Sequence, residues 1–252
     1  MIETFGLTKN YRRWGKKAPA LFDVSATIPK GVTALIGPNG SGKSTLLRVL
    51  TGLEKPSSGY FSSDGTTIDH AALPRYRETI GYVPQDVRFV ARMTLTEALE
   101  YSGWVAGMSR KDYKDRVFEV LELVDLRKAA QQRVGTLSGG QNRRLGIAAS
   151  LMHFPTTLFL DEPTAGLDPG ARTSLRSVIK NITHATSIVV STHITNDVTE
   201  LSDHVIALNA GSVAYEGDWT TLRSQSKNAA AERCDADPLE VALEYIMRGE
   251  QA

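Results

Sequence analysis

The stretch GPNGSGKST, running from Gly37 to Thr45, constrains this chain's architecture more than any other. It fits G-x-x-x-x-G-K-[ST], with Gly37, Gly42, Lys43 and Ser44 in the required places. The apolar, β-branched run VTALI precedes it, and the helix-like STLLRVLTG follows it. A strand that turns through glycines straight into a helix opens a βα unit, and such units build parallel sheets. Glycines let backbone N–H groups converge on an anion with no side chain in the way. The helix that follows adds unpaired donors and a positive dipole end. In that position Lys43 can neutralise β- and γ-phosphate charge, and the Ser44 hydroxyl can ligate Mg²⁺, which favours oxygen.

Three more short runs, TIGYVP, TTLFLD and SIVVST, are apolar and bounded by polar or turn residues, as buried strands are. Helix-like segments separate them, which predicts an α/β fold with a mostly parallel sheet core covered on both faces. Residues 54–75 are rich in Ser, Gly and Thr and contain Asp64-Gly65, a hairpin signal that predicts a small antiparallel β region. From Thr94 to about Val134 the pattern turns helical, with Val117, Val120, Leu121 and Val124 spaced to share one face. The expected organisation is a single domain over 1–220, with an α-helical subdomain inserted at about 88–136. A polar linker and a C-terminal helix follow over 221–252, where Leu239, Ala242, Leu243, Ile246 and Met247 share a face for docking on the chain's own domain.

Each apolar run ends in a chemically capable residue, and parallel α/β sheets place ligands beyond the carboxyl ends of their strands. TTLFLD ends in Asp161, with Glu162 next, although buried charge is costly. Asp161 is the expected Mg²⁺-side acid. Glu162, pointing elsewhere, can orient and deprotonate an attacking water. His193 follows SIVVST and is placed to reach a γ-phosphate. Gln85 follows GYVP, and its amide oxygen can ligate Mg²⁺.

A second glycine turn, TLSGGQNRR, opens the helical pattern GGQNRRLGIAASLMH, in which Leu145, Ala148, Ala149 and Met152 share one side. A glycine turn at a helix start is an anion site, and a single nucleotide does not need two of them. In their order GPNGSGKST, VPQ, LSGGQ, LFLDEP, AGLD and STH resemble the ATP-binding cassette ATPases, the nucleotide-binding subunits of ABC transporters. The resemblance runs from LTKNY to about AYEGD and implies the P-loop NTPase fold.

It also implies roles for individual residues. Gly37, Pro38, Asn39, Gly40, Ser41, Gly42, Lys43, Ser44 and Thr45 bind the phosphates of ATP and its Mg²⁺. Gln85 senses the metal and couples to the transport subunit, Asp161 is the Walker B acid and Glu162 the catalytic carboxylate. His193 is the switch histidine, and Asp168 belongs to a loop that crosses a dimer interface. Ser138, Gly139, Gly140 and Gln141 form the signature loop, which closes over nucleotide held by a second cassette, either another copy or a paralogue. Tyr11 resembles the aromatic that stacks on adenine, with Trp14 as its rival. Asn142 stands where the family usually has Gln, Lys or Arg, and Ala149 where Arg is frequent; neither is expected to touch the phosphates. LGIAASLMHFP and DPLEVALEYI resemble the branch that includes drug and other multi-substrate exporters.

Composition narrows the partners. Formal net charge is +1, from 29 Lys and Arg against 28 Asp and Glu, which argues against gripping nucleic acid by bulk charge. The basic run YRRWGKK is expected to be a solvated loop. A single cysteine, Cys234, excludes a disulfide within the chain and fits a reducing compartment. The N-terminus lacks a signal-peptide pattern, and no apolar run reaches the ~18 residues a membrane span needs. The expectation is therefore a peripheral ATPase on the cytoplasmic face of the inner membrane, held there by a transmembrane permease. The alternative is a soluble cassette ATPase of a cofactor-assembly system, with no permease.

Overall fold

The computed structural model describes residues 1–13, 16–183 and 186–221. Trp14, Cys234 and the expected C-terminal helix lie outside them. In chain order the elements begin with β1 (Ile2–Arg13), β2 (Lys16–Ile28), β3 (Val32–Ile36), α1 (Lys43–Leu50), β4 (Ser58–Ser63), β5 (Thr66–Thr67), α2 (Leu73–Glu78) and β6 (Ile80–Val83). They continue with α3 (Leu95–Val105), α4 (Arg110–Leu123), α5 (Gly139–Ser150), β7 (Thr157–Asp161), α6 (Pro169–Ile182) and β8 (Ser187–Thr192). The last are α7 (Thr195–Leu201), β9 (His204–Asn209) and β10 (Ser212–Gly217). The chain divides into two compact units, one of Met1–Pro74 with the chain from Val189 onward, the other Arg75–Ile188.

In the first unit a four-stranded antiparallel sheet runs β2-β1-β4-β5. Its β4–β5 hairpin turns at Asp64 (φ 47°) and Gly65 (φ 77°), both left-handed, as the tight turn between twisted strands demands. The expected antiparallel region is thus present but larger, since it begins at Ile2. YRRWGKK is not a loop throughout: β1 runs to Arg13 and β2 starts at Lys16, with those two residues paired. Ladder pairing over the whole length of two strands overrides the polar composition at their ends. β3 pairs in parallel with β9, from Thr33 against His204 to Ile36 against Ala207, and β10 pairs antiparallel with β9. Sequence reasoning did not anticipate β9 or β10. All five residues of β3 are buried, which is why it reads as an unbroken apolar run. Leu7, Leu21, Leu46, Leu47 and Leu208 form much of this unit's core.

In the second unit β6 lies parallel to β7, Ile80 against Thr157 through Val83 against Leu160. α3 starts with a capping box: Thr94 Oγ1 accepts from the Glu97 amide, and the Glu97 carboxylate accepts from the Thr94 amide. The face predicted for α4 is the buried one, with Val117, Val120, Leu121 and Val124 at 1% exposure or less. Leu145 and Ala148 on α5 and Met152 just beyond its end are likewise fully buried, whereas Ala149, expected on the same side, is only half-buried. Phe159, in the middle of β7, is among the largest fully buried side chains.

Phe159→Ala leaves a cavity that a strand backbone cannot close. We expect a loss of about 3–5 kcal/mol, read as a lower urea midpoint with an unchanged m-value.

Candidate functional site

In the first unit β3 delivers the chain at Ile36 into the glycine loop, and α1 carries it away. Gly37 adopts φ 146° and Gly42 φ 106°. A Cβ on Gly37 would sit 2.2 Å from the Leu208 carbonyl oxygen, and one on Gly42 would sit 2.6 Å from that of Ala20. Packing on the outer side therefore forces glycine at both positions. At Gly40 a Cβ would meet nothing within 4 Å, so the loop's crest borders open space. Lys43 is only 5% exposed, and its ammonium donates to the carbonyls of Gly37 (2.7 Å) and Pro38 (3.2 Å). The Ser41 hydroxyl is buried with no hydrogen-bond partner among the described residues. A cationic, glycine-walled cradle with an unsatisfied buried hydroxyl fits an anion such as a phosphate chain.

Two further elements of this unit carry predicted residues. Gly37 and Pro38 share a cavity of about 140 Å³ with His193, Ile194 and Val198. His193 is exposed, and its backbone is held by its neighbours: the Thr192 hydroxyl donates to Asp197 Oδ2 (3.1 Å) and accepts from the Ile194 amide (3.0 Å). Asp197 is fully buried and was not singled out in the sequence. Tyr11, on β1, donates its hydroxyl to Glu54 Oε2 at 2.7 Å, and the Lys9 ammonium lies 3.1 Å from the same oxygen. Burial and the Glu54 carboxylate push the Tyr11 phenol up in pKa, against the Thr45 hydroxyl, which pulls it down. For Glu54 burial opposes the charge, but hydrogen bonds from Tyr11 and Lys9 prevail and hold its carboxyl below the usual range.

The second unit holds the carboxylates and both remaining loops. Asp161 (3% exposed) ends β7, and the Tyr82 hydroxyl lies 3.5 Å from its Oδ2. Glu162 is 6% exposed and takes a left-handed backbone, φ 48°. That conformation is strained for a side chain of this kind and recurs at functional positions. Gln85 follows β6 on an exposed turn whose carbonyls are engaged by α5. Arg143 donates to the carbonyls of Pro84 (3.2 Å) and Gln85, and Asn142 Nδ2 donates to that of Val87 at 2.9 Å. Neither side chain was credited with a role from the sequence.

Ser138 and Gln141 form a capping box on α5. Ser138 Oγ accepts from the Gln141 amide (3.2 Å), and Gln141 Oε1 accepts from the Ser138 amide (2.9 Å). Gly139 and Gly140 are the first two residues of that helix. Asp168 caps α6 by accepting from the Ala171 amide at 2.9 Å, with Pro169 at the first helical position. Among the described residues no group of three or more His, Cys, Asp or Glu side chains gathers as a metal site. The donors expected for Mg²⁺, from Ser44, Gln85 and Asp161, are all oxygens, which is the chemistry that ion takes.

Residues 21–165 match the family model described as ABC transporter. The chain is 34% identical over 228 residues to the uncharacterized ABC transporter ATP-binding protein YxlF of Bacillus subtilis, covering 90% of this chain and 74% of that one. It is 34% identical over 250 residues to the methionine import ATP-binding protein MetN 1 of Acinetobacter baylyi, covering 96% and 70%. Among solved structures it resembles the dimeric bacterial ABC transporter cassette MJ0796, with TM-score 0.77, 29% identity and coverage of 86% and 98%. That cassette has also been captured as a dimer after hydrolysis, bound to ADP and phosphate. The glycine loop around Lys43, the helix opened by Gly139 and Gly140 and the carboxylate-ended strand thus occur in a chain that belongs to the ABC transporter family, as an ATP-hydrolysing nucleotide-binding subunit.

Proposed function

We propose that the chain powers a membrane transporter by closing on a second cassette around ATP and opening again after hydrolysis. One observation carries this: the chain has two glycine-opened helix starts, at α1 and α5, but only the first holds a lysine. The cradle at α1 binds a nucleotide in a single chain. The start of α5 offers the amides of Gly139 and Gly140 to the γ-phosphate of a nucleotide held by a partner cassette. Reciprocal use of both surfaces gives an isologous dimer. The similarity to a dimeric cassette supports this reading.

Within that frame Lys43 and the loop amides hold the β- and γ-phosphates. Glu162 accepts the proton of the water that attacks the γ-phosphorus as the bridging oxygen leaves with ADP, and His193 orients the γ-phosphate. Ser44, Gln85 and Asp161 would hold Mg²⁺ through their oxygens, and the ion would supply positive charge to offset that of the phosphates. Tyr11 stacks on adenine, and Asp168 lies on the loop that crosses to the partner.

A permease holds the chain at the cytoplasmic face of the membrane. No helix among the described residues is long and apolar enough to cross one. The second unit carries a fitting surface: a groove of about 300 Å³ lined by Tyr82, Tyr101, Val105, Ala149 and His153. Beside it Tyr101, Val105 and the neighbouring Trp104 are 53%, 62% and 64% exposed. Exposed aromatics around an apolar groove suit a short helix from a membrane subunit. The small side chain of Ala149, where the family often has arginine, keeps the groove open. We assign export as the direction, on the likeness of LGIAASLMHFP to multi-substrate exporters.

Glu162→Gln should retain ATP binding and lose about 10²–10⁴-fold in kcat; near-normal turnover would remove Glu162 from its role. In that background ATP should drive dimers visible by size exclusion, and Ser138→Arg should abolish them while leaving ATP binding by the single chain intact. Dimers that persist would sink the shared site. A gentle-detergent pull-down of the tagged chain should recover a membrane permease. Recovery of a soluble scaffold alone would favour cofactor assembly.

A further inference from the structure

α5 does more than present the signature glycines. Over its length it follows β6 and the turn after it. Ser150 Oγ donates to the Tyr82 carbonyl at 3.1 Å. One turn earlier, a Cβ on Gly146 would stand 3.0 Å from both γ-carbons of Val87 and 3.4 Å from one of Val83. The missing side chain lets Val87 sit directly on the helix backbone. Arg143 then takes the carbonyls of Pro84 and Gln85, and Asn142 takes that of Val87. The turn is solvent-facing at Pro84, Gln85 and Asp86, and Pro84 has no N–H to give a ladder. Its shape is therefore set by α5.

Arg143 suits this task. A planar guanidinium can serve two adjacent carbonyls without losing its charge. Burial holds its pKa below the usual guanidinium range, offset only in part by the carboxylates of Asp86 and Asp161.

We propose that Asn142 and Arg143 strap the Gln85 turn to the signature helix, so that Gln85 and the Ser138–Gly140 turn move as one piece. Arg143 and Asn142 are positioning residues for Gln85. The functional part rests on the roles proposed above for Gln85 and Ser138. Nucleotide arriving at Gly139 and Gly140 shifts α5, and the strap carries the shift to the turn that senses metal and permease. Packed side chains and hydrogen bonds of this kind can carry coupling between distant sites. Asn142, out of keeping with the family, fits here because a short amide reaches the Val87 carbonyl from the helix.

The test uses the full chain and reads the turn directly. In hydrogen exchange, the Asn142→Ala, Arg143→Ala double variant should speed exchange of the 84–88 peptide on the order of tenfold, with α3 and β7 unchanged. ATPase kcat should fall on the order of tenfold, with KM for ATP within about twofold, because the cradle at α1 is untouched. Arg143→Lys, which keeps the charge and one donor contact, should restore part of both effects. Unchanged exchange in the turn, or faster exchange spread evenly over the whole second unit, overturns the strap. So does a rise in KM with kcat retained. If the unaltered chain itself fails to hydrolyse ATP, the functional reading falls, while the exchange measurement still decides whether the strap exists.

Discussion

The buried ammonium of Lys43 is the interaction on which the rest depends. A lysine only 5% exposed is costly unless its charge is answered, and here two carbonyls of its own loop accept from its ammonium. The loop that presents them passes through Gly37 and Gly42 at backbone angles where a side chain would collide with the carbonyls of Leu208 and Ala20. β3 is buried throughout and paired with β9, so the loop starts from a stiff base. The cradle is therefore charged and shaped before an anion arrives. Preorganised donors of this kind are where electrostatic catalysis gets most of its effect, because nothing has to reorganise as charge develops.

What was legible in the sequence was what is locally encoded. The glycine loop between strand and helix, the Asp64-Gly65 hairpin and the buried face of α4 each depend on residues within a few positions of one another. β9, β10 and the full reach of β1 and β2 were not legible, because pairing with distant partners decides them; β3 finds β9 about 170 residues later in the chain. Arg143 escaped for the same reason, since its carbonyl partner on Gln85 is 58 residues away and leaves no periodic trace. The left-handed backbone at Glu162 has no sequence signature at all. The Ser138–Gln141 capping box, by contrast, was readable as S-x-x-Q ahead of a helical run and was passed over in favour of the glycines between them.

That capping box bears on why one chain has two glycine-opened helices. α1 has Gly42 at its N-cap, a residue with no side chain to satisfy the first amides. Those donors, with Lys43 beside them, are the chemistry that the proposed function asks to hold phosphate. α5 is different. Its Ser138 and Gln141 side chains already satisfy each other's amides, and no cation stands in its first turn. What is left facing outward are the amides of Gly139 and Gly140, locked in direction by the cap on either side. In the proposed dimer such a surface would complete a site that already contains a nucleotide rather than recruit one unaided. On the function proposed above, an unequal pair of helix starts would let ATP bind first to the single cassette and only then draw the second one in. Two equally strong starts would let each cassette fill both surfaces separately, and the nucleotide would lose its power to join them.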